Sequence, residues 1–344
     1  MLRRLSLVTL AAALLLALAP GAQALDINII PGASLSANPQ ALDSFNRAAQ
    51  QWERRFSDPI TVNINANLAA LGSGILGSTD TVMLYGGYNT IRTAMVADAA
   101  PYANNAIVAY LPTVSEFSAY VPSGFGLTGD IGASKANLKA LGFTGLDGAF
   151  GARDATITFS TGFSFTYNHH VGGVTPGTID FETVAAHEIG HALGFISVVD
   201  AIDYYKSLGL TGDVYPYSLD LFRFGKDISN PSNYSGFTNN PRMLVPGQEA
   251  IFDDLTSEYR MSTGSEYGDG RQASHWKDDA LLGSFIGLLD PTLGYGVYFD
   301  VAEPDVRAMD LIGYDLVLTP VPGAFWLLGS GLLGLAALRF RRRR

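Results

Sequence analysis

Residues 187 to 194 read His187-Glu188-Ile189-Gly190-His191-Ala192-Leu193-Gly194, and no other stretch limits so strongly what the chain can become. On a helix, residues four apart share a face, so His187 and His191 aim their imidazoles at one point. Glu188 is offset by one position, and its carboxylate falls beside that point rather than on it. Two converging imidazoles with a carboxylate alongside are half of a metal site and the place of a general base that takes a proton from water. With five His and eight Glu in 344 residues, chance produces the pattern on the order of once per thousand such chains. Ala185, Ala186, Ile189, Ala192 and Leu193 supply the apolar context of a packed helix, and Asp180 or Thr178 can cap its start. The spacing predicts a helix from about Asp180 to Leu193. The plain alternative is a pair of core or solvent-facing histidines.

A catalytic zinc keeps three protein ligands and one open position, so a third ligand has to come from elsewhere. The chain has no cysteine, which excludes a thiolate ligand, a cysteine nucleophile and disulfide stapling. Three other histidines exist: His169 and His170, in a glycine-rich loop before the motif, and His275. Asp200, Glu249 and Glu258 are the carboxylate alternatives. Asp269-Gly270 sits in a turn of a kind that binds calcium, but one such pair does not make a site.

The run His187-Glu-x-x-His191-x-x-Gly194 resembles the first eight positions of the extended zinc motif of the metzincin peptidases. In that family the glycine permits a sharp turn off the helix and the third ligand usually follows three residues later. Here that position is Ser197, which cannot ligate. Ala273-Ser274-His275-Trp276-Lys277 followed by Leu288-Leu289-Asp290-Pro291 is similar to the leishmanolysin-like branch, where a long insertion precedes a third His followed by Trp. The resemblance implies His275 as third ligand. It also implies Leu288 to Pro291 as the apolar floor turn, with Leu288 or Leu289 where that family has methionine, a swap of similar volume. Met309-Asp310-Leu311-Ile312-Gly313-Tyr314 looks like the family's closing helix and turn. By the same resemblance, the strand Asp154 to Thr161 is expected to form the upper edge of the cleft, where an extended substrate adds as a strand.

Arg3 and Arg4, the apolar run Leu5 to Ala19, Pro20 and Ala22-Gln23-Ala24 have the order of an export signal, which predicts a signal peptide over 1–24. At the other end, Val321-Pro322, the apolar stretch Ala324 to Leu338 and the arginines 339 and 341–344 resemble a PEP-CTERM sorting tail. That resemblance implies processing by an exosortase-type membrane enzyme, although Gly323-Ala324 stands where the motif usually has Glu-Pro. A simple membrane anchor through 324–338 is the alternative. Either way the segment between is expected outside the cell, at its surface or released, with membrane contact through the tail only. That segment carries 15 basic against 32 acidic side chains, a net of −17, which disfavours nucleic acid and anionic lipid as partners.

Apolar residues at helical spacing predict a helix over 42–56, and alternation predicts a strand over Ile60 to Leu68. Tyr88 to Ala99 and Ala133 to Leu141 read as further helices, Pro101 to Gly126 as loop, and Asp154 to Tyr167 as a strand interrupted at Gly162. Beyond Gly194 short strands and long Gly/Pro/Asn loops predominate. The expected class is α+β. With the resemblance, it is a zincin-like metallopeptidase domain over 25–318, divided into 25–194 with the active-site helix and an irregular 195–318, followed by a sorting tail over 319–344. The expected function is a zinc endopeptidase acting on protein or peptide substrates, with Zn2+ on His187, His191 and His275 and Glu188 as base. The rival expectations are a silent zinc-binding matrix or adhesion protein and a gluzincin-like hydrolase with a carboxylate third ligand.

Overall fold

The alternation read over Ile60 to Leu68 builds the middle of a sheet. In the computed structural model, which describes residues 24–317, β1 (Asp26–Pro31) is followed by α1 (Pro39–Glu53), β2 (Thr61–Ala69), β3 (Gly77–Thr81) and β4 (Ala155–Ser160). The sheet order is β1-β2-β4-β3. The first three strands are parallel and β3 runs antiparallel to β4. The expected signal peptide, apart from Ala24, and residues 318–344 with the expected tail lie outside the described residues. No helix among the described residues is long and apolar enough to cross a membrane.

Parallel neighbours need a crossover, and α1 supplies it between β1 and β2. Asn38 caps its start by accepting from the Ala41 N–H at 3.2 Å, and Pro39 occupies the first turn, where a missing N–H costs nothing. Its buried stripe, Ala41, Phe45, Ala48, Ala49 and Trp52, covers the sheet face carrying Val62, Ile64, Ile157 and Phe159, all without exposure. Beside it lies the motif helix α2 (Phe181–Leu193). Asp180 caps α2, accepting from the Thr183 N–H at 2.8 Å. Gly194 ends it with φ +127°, a conformation that side chains with a Cβ rarely adopt. The Trp52 indole N–H donates to the Ala186 carbonyl at 2.9 Å and locks α1 to α2.

The strand expected to border the cleft is interior. β4 is hydrogen-bonded to β2 on one side and β3 on the other, so Asp154 to Thr161 has no free edge for a substrate. The border is β3. Two further expectations also change. The helix at 133–141 begins at Lys135, because Asp130–Ser134 pairs with Met83–Gly87 and the Ser134 hydroxyl then caps Lys135–Ala140. The expected loop 101–126 contains a 3-10 helix, Ala103–Tyr110, and two short strands. Ile107, Val108 and Leu111 are buried there, but three residues are too short a run to show a period.

Beyond Gly194 the chain is more ordered than its composition suggests. After α3 (Val199–Ser207), strands β5 (Arg223–Gly225), β6 (Arg242–Met243), β7 (Ala250–Asp253) and β8 (Glu258–Met261) form a sheet with Ala119–Tyr120 in the order β8-β7-β5-β6-(119–120). Helix α4 (Glu303–Ile312) closes the described chain. One apolar cluster joins Phe45 and Phe159 to Phe252, Trp276, Met309 and Tyr314, so the core runs across Gly194. The class is α+β.

Asp58, in the link between α1 and β2, is only 2 % exposed. Burial, then the neighbouring Asp315 charge, pushes its carboxyl up to about 8. A carboxyl whose folded value lies above its unfolded value of ~3.9 stabilises the fold fully below that value and loses the contribution as pH climbs through the folded one. Asp58→Asn still offers an oxygen to the Asp315 N–H and cannot ionise. Urea midpoints are expected to fall less between pH 5 and pH 8 in this variant than in the parent; equal falls would refute the assignment.

Candidate metal centre

The motif helix carries His187 and His191 on one face, half-buried, and His275 arrives from 84 residues further on. The three Nε2 atoms form a near-equilateral triangle: 3.1 Å from His187 to His275, 3.1 Å from His191 to His187 and 3.2 Å from His191 to His275. Each Nδ1 meets a backbone carbonyl: Leu288 at 2.9 Å for His187, Phe195 at 2.8 Å for His191 and Gln272 at 3.1 Å for His275. A carbonyl only accepts, so each Nδ1 carries the proton and each neutral Nε2 presents a bare lone pair to the other two. Burial, first, holds all three rings below the ordinary histidine range, His187 at about 3 and His191 at about 4. Protonation therefore does not relieve the contact near neutrality.

Three lone pairs at this separation fit a metal cation. Metal–nitrogen bonds of ~2.0–2.1 Å at tetrahedral angles place donors about 3.3 Å apart, within a few tenths of the triangle. Imidazole suits zinc, copper, iron and nickel, and there is no thiolate to narrow the choice. The geometry leaves one side of the triangle facing a cleft of about 680 Å³, whose other walls include Ile75, Phe163, Val184, Leu293 and Tyr295.

Glu188 is buried beside the triangle and is not a fourth ligand. Its Oε2 accepts from the Thr79 hydroxyl at 2.6 Å. Burial pushes its carboxyl up to about 7, against the lowering effect of that bond. Strand β3 lies directly on it: a Cβ at Gly77 would stand 2.6 Å from Glu188 Oε1, so only glycine lets the strand approach. Sequence reasoning missed Gly77 and Thr79. Their one legible signal is a short Gly/Thr-rich strand, and nothing in it points to a residue 109 positions away.

The competing ligands lie elsewhere or are engaged. Asp200 reaches the cleft wall, but its oxygens accept from the Ala273 and Ser274 N–H groups, at 2.5 and 3.0 Å, and from the Ser274 hydroxyl. It holds the arm of His275 instead of ligating. Glu249 pairs with Arg260 and Lys277, and Glu258 lies exposed on β8. His169 bonds Asp180 and stacks on Tyr298. His170 bonds Glu182, which also accepts from Arg47 and Gln51, and neither histidine joins the triangle. Asp269 pairs with Lys277 and takes the Thr263 N–H. In the cluster of Asp278, Asp279 and Asp290 no imidazole takes part, and two members are engaged: Asp278 with the Ala280 N–H and Arg271, Asp290 with the Asp279 and Thr292 N–H groups.

After loading with Zn2+ or Co2+ and dialysis, the parent is expected to keep about one ion per chain and His275→Ala to keep little. His169→Ala and His170→Ala should match the parent. Equal retention in His275→Ala would refute the triangle as a metal centre. No protein-family model, curated protein or solved structure matches the chain.

Proposed function

We propose that this chain is a zinc-dependent endopeptidase with a zincin-like, metzincin-type fold. The observation that carries the reading is a triangle of three unprotonated imidazole nitrogens with a buried, hydroxyl-tethered carboxylate on the next residue of the same helix. A structural site would have no use for a base beside an open position. Three further features support the metzincin reading: the turn at Gly194, the floor turn at Leu288–Leu289, and a mixed sheet whose antiparallel edge strand lies over the motif helix. Leu289 is fully buried, and its side chain faces Gly190, which suits the part that methionine plays in the family. Export and a surface location rest on the two chain ends.

His187, His191 and His275 would hold the zinc, which would supply Lewis acidity and lower the pKa of water toward ~7. Glu188 does the proton work: it accepts a proton as water attacks the peptide carbonyl and delivers it to the departing amine. Burial favours the protonated form of its carboxyl, which eases the uptake of that proton. Thr79 fixes the carboxylate on the cleft wall.

Strand β3 is the substrate's docking edge on this reading. Leu76 and Val82 flank it with bonds to Ser160 and Asp154 on β4, so the alternation of an antiparallel ladder turns the backbone groups of Gly77, Thr79 and Thr81 outward. Their side-chain face points to α2, where Thr79 holds Glu188 and the Thr81 hydroxyl donates to the His191 carbonyl at 3.3 Å. An extended peptide pairing with that edge would lie across the triangle.

Hydrolysis of casein or gelatin that a chelator blocks is the expected activity. Glu188→Ala should lower turnover by about 10²–10⁴-fold with zinc content unchanged. Gly77→Val should also lose activity while keeping zinc, because the new side chain meets the Glu188 carboxylate. Retained cleavage by Glu188→Ala sinks the mechanism, and a zinc-loaded parent with no peptidase activity favours a silent binding protein.

A further inference from the structure

We propose that Asp305 is the positioning residue that ties the third ligand to the motif helix, setting two of the three imidazoles from one buried carboxylate. The inference rests on the metal-centre reading above. Asp305 lies in the first turn of α4, has no exposure and touches no Lys or Arg in any ion pair among the described residues. Its charge is met by four N–H donors instead. Oδ1 accepts from the Trp276 indole at 2.7 Å and the Leu289 amide at 3.1 Å; Oδ2 accepts from the Leu288 amide at 2.7 Å and the Ala302 amide at 2.8 Å.

Three of those donors belong to the scaffold of the centre. Trp276 follows His275 directly. Leu288 is the residue whose carbonyl takes the His187 Nδ1 proton at 2.9 Å. Leu289 returns its carbonyl to the Trp276 N–H at 2.9 Å. The carboxylate therefore closes a ring of bonds with Leu289 and Trp276, next to His275 on one side and to the Leu288 carbonyl that holds His187 on the other, and only the fourth donor serves α4 itself. The approach is tight, since a Cβ at Gly287 would stand 2.6 Å from Asp305 Oδ1. A buried carboxylate is an expensive group for packing alone. One that takes three donors next to two ligands does what outer-sphere partners of metal-bound histidines do, holding ring orientation before the ion arrives.

Asp305→Asn keeps the shape and replaces one acceptor oxygen with an amide that opposes N–H donors. Asp310→Asn is the control. It lies on the same helix, 3 % exposed, and bonds Asn105 and Arg307 away from the triangle. Zinc affinity is read by competition with a chelating dye, and site geometry by the ligand-field spectrum of the Co2+ form, both well below the unfolding midpoints. The expected result is a loss of about 10–100-fold in zinc affinity and an altered Co2+ spectrum for Asp305→Asn, with Asp310→Asn within twofold of the parent. Parent affinity in Asp305→Asn, or an equal loss in Asp310→Asn, overturns the proposal. If Asp305→Asn does not fold, Trp276→Phe removes one donor and keeps the ring; it should lose several-fold in affinity, and an unchanged value overturns the coupling. A parent that takes up neither ion overturns the metal centre and this inference together, whereas parent uptake with unaffected variants overturns this inference alone.

Discussion

Three neutral imidazoles that face one another with bare lone pairs repel until a cation joins them, and the rest of this structure is arranged to hold them in that state. Each ring is fixed through its far nitrogen by a backbone carbonyl, which sets the tautomer and the direction of the lone pair at once. Two of those carbonyls come from the segments nearest their ring, the turn after Gly194 and the arm before His275. The third, from Leu288, comes from a segment neither helical nor near in sequence. The centre is thus assembled from three parts of the chain, each with its own support.

His275 is the hardest of the three to place, and most of the C-terminal half serves it. Trp276 bridges to Met261 at the end of β8, and the backbone of 275–277 exchanges bonds with Arg260 and Ser262. The fully buried Arg223 on β5 gives its guanidinium to the carbonyls of Met243, Ser262 and Ala273. A buried cation is tolerated only when its donors are met, and here they tie strands to the arm that carries His275. Asp200 on α3 grips the same arm at Ala273 and Ser274 from the other side. Between His191 and His275 the chain builds a sheet and a helix whose shared product is one imidazole in place.

The buried carboxylate and the free strand edge come from the N-terminal half by a different route. A single antiparallel strand added to a parallel sheet leaves its outer backbone groups unpaired, an exposure that proteins usually cover or charge. Here the uncovered edge overlies Glu188, and the two are in contact because Gly77 has no side chain and Thr79 has a hydroxyl. The same strand therefore leaves its outer backbone groups unpaired and holds the Glu188 carboxylate in place.

The motif helix, its Asp180 cap and its end at Gly194 were legible in the sequence, because capping, helical spacing and a glycine with positive φ are local properties. So were α1 and β2, where periodicity follows from burial on one face. The cleft edge was misread: Asp154 to Thr161 has the stronger strand composition, but such a run suits an interior strand, whereas an edge strand as plain as Gly77–Thr81 carries no pattern. The sheet beyond Gly194 was hidden for the same reason, since strands of two to four residues show no period. What the sequence determined by itself is the chemistry on offer, two imidazoles and a carboxylate on one helix, no thiolate and a third histidine within reach. Only the tertiary structure decided that His275 closes the triangle while His169, His170 and Asp200 do not. That choice depends on buried hydrogen bonds between residues scores of positions apart, and these form only once the core has brought them together.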